Sequence, residues 1–177
     1  MGTHRTPAKL DAEGLWNYAL RVLGQRAHSV NEVRRKLSRR AQFPSDVEAT
    51  LVKLREYGLT DDRKFSEAFA ARRLEGPGFG KLRVLRDLRA KSVTSAVAQK
   101  AVETVFSGTD EVFLIERFLE RKYRGKDLPQ LLKDPKKLGS VYRRLRLAGF
   151  NSSTALTVLR RLGAQSGDLE DADEEEV

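Results

Sequence analysis

The chain has 177 residues, of which 40% are apolar and 33% are charged, and its formal net charge is +9. This length and apolar content allow several small hydrophobic cores but not one large core. The chain has no cysteine and only two histidines, His4 and His28, so the sequence excludes disulfides and thiolate metal sites and leaves too few ligands for a histidine metal centre. We therefore expect neither a metal nor another cofactor.

The longest apolar runs, such as residues 112–115, are far shorter than a membrane span, and residues 1–10 lack the apolar stretch of a signal peptide. We therefore expect a cytoplasmic protein that does not contact a membrane.

The positive charge is concentrated in the body of the chain. Residues 168–177 carry seven acidic residues and no basic one, so residues 1–167 have a net charge of +16. Such a body attracts polyanions, either nucleic acid or an acidic protein surface. The acidic segment is too highly charged to bury apolar surface, and we expect residues 164–177 to be a disordered tail. It either competes with polyanions for the basic faces or only keeps the protein soluble.

The first part of the chain predicts three helices, after a flexible N-terminus over residues 1–13. The first helix begins near Gly14, and its apolar face comprises Leu15, Trp16, Ala19, Leu20 and Leu23. The second begins with a capping box at residues 29–32 and buries Val30, Val33 and Leu37. The third begins with another capping box at residues 45–48, directly after Pro44, buries Val47, Leu51 and Leu54, and ends at Gly58.

The same pattern then occurs twice more. In the second copy, Thr60, Asp61 and Asp62 precede a helix that turns Phe65, Ala68 and Phe69 inward, and the next two helices bury Leu82, Val84, Leu85 and Leu88, and then Val97, Ala101, Val102 and Val105. In the third copy the three apolar stripes are Val112, Ile115, Phe118 and Leu119, then Leu138, Val141 and Leu145, and finally Leu156, Leu159 and Leu162, with Ser152 or Ser153 capping the last helix. No alternating pattern predicts a strand.

Internal alignment supports three copies, because Val33 and Leu37 match Val84 and Leu88 at an offset of 51 and Val141 and Leu145 at an offset of 108. Chance similarity between amphipathic helices is the alternative. We predict an all-α protein of three tandem three-helix repeats, at residues 14–59, 60–108 and 109–163, the third with an insertion at residues 124–135. Because each repeat is too small for a large core, neighbouring repeats should stack into an elongated, curved molecule.

The sequence offers no convincing catalytic group. The glycine-rich segment at residues 76–81 follows a helix rather than a strand and lacks the spacing of a phosphate-binding loop, so we interpret it as an inter-helix turn. Asp61 and Asp62 are adjacent, diverge on a helix and are better explained as helix caps. His28 directly precedes a cap and fits a structural role.

Positive charge recurs on the second helix of each repeat. Arg35 aligns with Arg86 and Arg143, and Arg89 aligns with Arg146. Each of these residues could also belong to a solvated helix face. Together they predict a discontinuous basic track that binds a repetitive anionic partner, since arginine pairs well with carboxylates and phosphates. The predicted partner-binding residues are Arg34, Arg35, Arg39, Lys81, Arg83, Arg86, Arg89, Arg143, Arg144 and Arg146.

Three segments resemble the signatures of the RecX family of recombination regulators: residues 19–37, residues 54–69 and residues 80–91. The most specific part is Gly58-Leu59-Thr60-Asp61-Asp62-Arg63-Lys64-Phe65. The sequence departs from the family at Lys91-Ser92, where the family usually has Lys-Gly, so a left-handed turn expected there must be made by serine or be rearranged. Ala41-Gln42 occupies the corresponding bend of the first repeat.

The resemblance implies a non-enzymatic regulator that binds the RecA recombinase filament in its helical groove and inhibits filament growth, ATP hydrolysis and strand exchange. Two alternatives remain: a basic helical protein that binds single- or double-stranded DNA directly, and an enzyme of unknown type. We expect a monomer.

Overall fold

The computed structural model describes residues 8–163. In this range the chain forms ten helices and no β-sheet. Their bounds are α1 (Ala12–Gln25), α2 (Val30–Ser38), α3 (Pro44–Glu56), α4 (Asp62–Glu75), α5 (Lys81–Ala90), α6 (Ser95–Val105), α7 (Glu111–Lys122), α8 (Leu128–Leu131), α9 (Pro135–Leu147) and α10 (Ser152–Arg161). The predicted all-α class and the three successive three-helix groups are confirmed. The short α8 lies inside the predicted insertion.

The contacts divide the described residues into two compact units. Unit 1 contains residues 8–68 and 88–101, and unit 2 contains residues 69–87 and 102–163. The division passes through the helices of the second group, so a repeat is not the same thing as a compact unit. The repeat boundaries therefore stay a prediction.

The core of unit 1 is formed where α1, α2 and α3 pack on one another. Its buried side chains are Leu15, Ala19, Val33, Leu37, Ala41, Val47, Leu51 and Leu54. The predicted stripes of α2 and α3 are confirmed here. On α1 the prediction was wrong at one position, because Leu20 is exposed whereas Val22 is buried.

The capping box at the start of α2 is confirmed. Ser29 Oγ accepts a hydrogen bond from the Glu32 amide at 3.1 Å, and the Ser29 amide donates to Glu32 Oε2 at 3.3 Å. The second predicted box is wrong: α3 begins at Pro44 with Phe43 as its N-cap and no side-chain cap. Proline fits the first helical position because it has no amide hydrogen to satisfy there, which moves the start of the helix ahead of Ser45.

The predicted flexible N-terminus requires a correction for the part that the structure describes. The Leu10 amide donates to the Arg40 carbonyl at 2.7 Å, and the Gln42 amide donates to the Leu10 carbonyl at 2.8 Å. Asp11 then caps α1, which begins at Ala12. Residues 8–13 are therefore ordered against the α2–α3 bend. Residues 1–7 and the predicted acidic tail at 164–177 lie outside the described residues.

The left-handed turn expected after α5 is made by serine. Ser92 has φ +60°, and its carbonyl accepts a 2.8 Å hydrogen bond from Asn31 Nδ2. The neighbouring Lys91 carbonyl accepts from Ser29 Oγ at 2.5 Å. These contacts within unit 1 hold the turn where the family usually has glycine.

The core of unit 2 is formed by α7, α9 and α10, and α10 packs against both of the others. Its largest fully buried side chains are Ile115, Leu119, Leu132, Leu138, Tyr142, Leu145, Phe150 and Leu159. The rings of Phe118 and Phe150 meet edge to face with their centroids 5.5 Å apart. The predicted stripe of α9 is confirmed.

Two other apolar predictions were wrong, because Ala68 and Leu82 are exposed. The start of α10 also differs, since Asn151 rather than a serine caps it by accepting from the Ser153 amide at 3.0 Å.

None of the helices within residues 8–163 is both long and apolar enough to cross a bilayer.

Candidate partner-binding surface

The ten residues predicted to bind a partner are divided between the two units. Unit 1 holds Arg34, Arg35, Arg39 and Arg89, and unit 2 holds Lys81, Arg83, Arg86, Arg143, Arg144 and Arg146. They lie on α2, α5 and α9 or at the end of α2, as the repeat alignment predicts. They differ in how far the fold already engages them.

The three aligned arginines Arg35, Arg86 and Arg143 are all exposed. Each lies midway between two buried residues of its own helix, as Arg35 does between Val33 and Leu37. One residue turns a helix by about 100°, so a side chain two positions from each buried neighbour points away from the core. The same local rule therefore places all three guanidinium groups on the solvent side of their helices.

Several of the predicted residues are engaged within their own unit. Arg34 pairs with Glu48 on α3 in a bridge whose two side chains are both exposed, and such a bridge contributes little stability. Arg146 donates to the Phe150 carbonyl at 3.0 Å, so it satisfies backbone at the end of α9. Arg39 and Arg89 are exposed.

Arg83 is held at the start of α5 by three groups of unit 2. Its Nε donates to Asp87 Oδ1 at 3.0 Å, its Nη1 donates to the Leu147 carbonyl at 3.2 Å, and its guanidinium lies 5.1 Å from the centroid of the Phe79 ring. Arg73 forms an ion pair with the other oxygen of Asp87 at 3.3 Å, and its guanidinium also lies over the Phe79 ring. Asp87 thus fixes two guanidinium groups beside one aromatic ring.

The segment at residues 76–81 is an inter-helix turn, as predicted, because α4 ends at Glu75 and α5 begins at Lys81. Arg121 of α7 holds this turn. Its Nη1 donates to the Gly76 carbonyl at 2.6 Å, and its Nη2 donates to the Pro77 carbonyl. Arg144 is positioned similarly by the Tyr123 hydroxyl, to which its Nη1 donates at 3.1 Å.

These side chains surround an open groove of about 530 Å³ in unit 2. We define the basic groove by six of its lining residues, namely Phe79, Arg83, Phe118, Arg121, Lys122 and Arg144. The sequence predicts Arg83 and Arg144 as binding residues, but not Arg121 and Lys122. These two lie on the first helix of their repeat and have no aligned counterpart in the predicted track, so no signal in the sequence marked them.

His28 has a structural environment. It is only 6% exposed, and its Nδ1 lies 3.5 Å from Glu32 Oε2. Burial lowers the pKa of His28, and the positive charge of Arg26 lowers it further, against the opposing effect of Glu32. Burial opposes ionisation of Glu32, but hydrogen bonds from Arg26 and the Ser29 amide, together with the charge of Lys91, lower the pKa of Glu32 overall.

No group of three acidic, histidine or cysteine side chains that could hold a metal occurs within residues 8–163.

Comparisons with known proteins identify the family. Residues 61–102 match the family model described as RecX, second three-helix domain. The regulatory protein RecX of Pelodictyon phaeoclathratiforme is 30% identical over 112 residues, which cover 63% of this chain and 68% of the relative. The RecX of Halorhodospira halophila is 36% identical over 92 residues, which cover 52% of this chain and 56% of the relative. The chain thus spans little more than half the length of some of the curated relatives that it matches.

A crystal structure of RecX from Lactobacillus salivarius has a TM-score of 0.66 with 18% sequence identity, and the match covers 85% of this chain and 96% of that one. A second crystal structure of a regulatory protein RecX has a TM-score of 0.69 with 20% identity, over 83% of this chain and 72% of that one. At this identity the two structures support the fold, and the sequence relatives support the family. The chain belongs to the RecX family of regulatory proteins.

Proposed function

We propose that this chain regulates recombination by binding the RecA recombinase filament and by inhibiting filament growth, ATP hydrolysis and strand exchange. Membership in the RecX family of regulatory proteins supports a regulatory role. The observation that carries the binding mode is the set of aligned arginines, Arg35, Arg86 and Arg143, which are exposed on equivalent helices. A partner built from repeated subunits presents its own anionic groups at intervals, so repeated guanidinium groups suit it.

Binding rather than catalysis is the mechanism that these residues support. Arginine keeps its proton at any physiological pH, so it serves poorly as a general base and well as a fixed cationic contact. On this proposal the protein, bound along the filament, limits subunit addition and the movements that accompany nucleotide hydrolysis. We propose that the protein acts in the cytoplasm as a monomer.

The test compares two charge-reversed proteins with the unchanged chain. Arg86→Glu combined with Arg143→Glu alters two aligned positions of unit 2, whereas Lys126→Glu combined with Lys133→Glu alters two exposed lysines of the insertion that belong to no aligned set. The readout is DNA-dependent ATP hydrolysis by preformed RecA filaments. We expect the unchanged chain to inhibit below the RecA concentration, the arginine variant to need about tenfold more protein, and the lysine variant to match the unchanged chain.

Each result has a definite meaning. If the unchanged chain fails to inhibit even at an equimolar ratio, the proposed function is wrong. If it inhibits and the arginine variant inhibits equally well, the protein regulates RecA through another surface.

Direct DNA binding is the second candidate, and the net charge of +16 over residues 1–167 favours it. Contacts between arginine and phosphate release counterions, so the affinity for DNA alone would fall steeply as salt rises. The predicted residues are arginine and lysine without asparagine or glutamine, which favours phosphate contacts over base recognition. Titration of labelled single- and double-stranded oligonucleotides at several salt concentrations, without RecA, distinguishes this candidate from filament binding.

A further inference from the structure

The basic groove of unit 2 has an unusual electrostatic composition. Four of its lining residues are cationic, and none of the described residues that line it is acidic. By contrast, the neighbouring cavity on unit 2 is lined by Glu116, Glu120 and Asp127 as well as by basic residues. Asp87 pairs with both Arg83 and Arg73, so these three groups together keep a net positive charge. An anionic ligand is therefore favoured in this groove and not in the neighbouring cavity.

The cations of the groove are already positioned by the fold. Arg83 is fixed by Asp87 and a backbone carbonyl, Arg121 by two carbonyls of the inter-helix turn, and Arg144 by the Tyr123 hydroxyl. A guanidinium group has more N–H donors than these bonds use, so each arginine can still bind a carboxylate. Because these arginine side chains are already held in place, they lose less conformational entropy when a ligand binds.

The aromatic rings of the groove favour a peptide over a nucleic acid. Phe79 already lies under the guanidinium groups of Arg73 and Arg83, and Phe118 is almost fully buried. Binding of single strands usually relies on bases stacked on exposed aromatic rings. The rings here instead contribute a small apolar floor beneath the cations, which suits carboxylates together with an occasional aliphatic side chain.

We propose that the basic groove binds the acidic segment of this same chain, residues 168–176, which thereby masks Arg83 and Arg144. The segment carries seven carboxylates and one leucine, Leu169, so its chemistry matches the groove. The intramolecular contact does not depend on the proposed function. Only its consequence, that the segment competes with an anionic partner of the protein, rests on that function.

The connection between the groove and the segment is short enough. The last residue of α10, Arg161, pairs with Glu116 on α7. Arg121 lies five residues further along α7, a rise of about 7.5 Å with a rotation of about 140° around the helix axis, which makes a path of about 15 Å over the helix surface. The chain from Gly163 to Asp168 can extend to about 17 Å. Such a short link gives the segment an effective concentration in the millimolar range, so even weak affinity fills the groove.

The first experiment detects the contact in the full chain. Because the protein has no cysteine, Ala172→Cys provides a single site for a nitroxide label. Paramagnetic broadening of backbone amide NMR signals is then measured. We expect selective broadening around Phe79, Lys122 and Ala148. It should persist in the Lys126→Glu and Lys133→Glu control and disappear when Lys122→Glu and Arg144→Glu are combined.

The second experiment does not depend on the groove variant being folded. A fluorescent peptide with the sequence of residues 166–177 is titrated into the unchanged chain and into a full-length chain whose seven acidic residues at 168–176 are replaced by their amides. The chain with the amide replacements has an unmasked groove, so it should bind the peptide at least about threefold more tightly than the unchanged chain does. The proposal would be overturned if the two chains bound the peptide with equal affinity. It would also be overturned if the paramagnetic broadening were absent or were centred on another basic surface. RecA is absent from both experiments, so their failure is distinct from failure of the proposed function.

Discussion

Gly80 and Gly149 lie backbone against backbone in unit 2, where the start of α5 meets the end of α9. The Gly80 amide donates to the Ala148 carbonyl at 2.9 Å, and the Leu82 amide donates to the Gly149 carbonyl at 3.1 Å. A Cβ atom on Gly80 would overlap the carbonyl of Gly149, and one on Gly149 would overlap the backbone of Arg83. Two of the four amides that a helix start leaves without partners are therefore satisfied by the end of another helix.

This contact predicts that Gly149→Ala is strongly destabilising. Gly149 has φ +89°, which is unfavourable for alanine, and the added methyl group has no space. We expect the free energy of unfolding to fall by about 3 kcal/mol, measured by urea denaturation followed by circular dichroism. Gly139→Ala is the matched control, because Gly139 lies within α9 with nothing near its Cβ position. That variant should be slightly more stable, and similar losses in the two variants would contradict the argument.

Ser29 and Ser45, which were both predicted to begin a capping box, give a second prediction. Ser29 is fully buried and bonds both the Glu32 amide and the Lys91 carbonyl. Ser29→Ala should therefore lower the free energy of unfolding by about 2 kcal/mol. Ser45→Ala should change it by less than about 0.5 kcal/mol, because Ser45 is exposed and lies inside α3. Thermal unfolding of both variants checks the difference, and equal losses would mean that Ser45 caps α3 after all.

Ser92 provides a prediction of increased stability. Its φ of +60° is strained for a residue with a Cβ atom, and the hydrogen bond from Asn31 uses only its backbone carbonyl. Ser92→Gly should therefore raise the free energy of unfolding by about 0.5–1 kcal/mol. Ser107→Gly is the control. Ser107 does not have a positive φ, so glycine at that position relieves no strain and only increases the conformational freedom of the unfolded chain. A loss of stability in Ser92→Gly would show that the serine side chain itself stabilises the turn.

The environment of His28 predicts that the free energy of unfolding decreases as the pH is lowered. Its pKa in the folded protein is below the ordinary 6.5, so the unfolded chain binds the proton first as the pH drops. Stability is therefore full above pH 6.5 and falls as the pH decreases towards the folded pKa. Arg26, Glu32 and Lys36 are the charged groups that act on His28. The slope of unfolding free energy between pH 7 and pH 5 should decrease in His28→Gln, and an unchanged slope would exclude His28 as its source.

Glu32 should produce a separate loss at lower pH. Its folded pKa is below the ordinary 4.5, so its contribution is present above pH 4.5 and is lost as the pH falls through the folded value. Glu32→Gln should be less stable than the unchanged chain at pH 7, and the difference should narrow below pH 4. Urea titrations at pH 7, 5 and 3 measure this. A difference that is independent of pH would mean that the ionised carboxylate is not the stabilising form.

Local chemistry explains which parts of the fold could be predicted from sequence. The apolar stripes of α2, α3 and α9 and the capping box at Ser29 depend on residues spaced three or four positions apart, and they were predicted correctly. The start of α3 was misplaced because two local rules competed there, and proline at the first helical position prevailed over the serine cap. Leu20 was expected in the core, but the stripe alone does not define which edge of α1 the other helices cover.

The basic groove could not be predicted in the same way. Arg83, Arg121 and Arg144 come from three helices, and the groove exists because the turn at residues 76–80 lies beside both α7 and the end of α9. Alignment of the repeats detects only residues with counterparts at equal offsets. Arg121 has none in the predicted track, so its position depends on packing that the repeat pattern does not describe.

Unit 1 is discontinuous in sequence, and this affects the order in which it can be assembled during synthesis. The hydroxyl of Ser29 and the side-chain amide of Asn31 bond the carbonyls of Lys91 and Ser92, and the Val30 amide bonds Asp62 at 2.8 Å. When only the first sixty-eight residues have emerged from the ribosome, Asp62 is therefore present, but the carbonyls of Lys91 and Ser92 are not. The amino-terminal helices must wait for residues 88–101 before these bonds close, and by then residues 69–87 have already emerged. The nascent chain consequently cannot complete its first unit before it has begun its second.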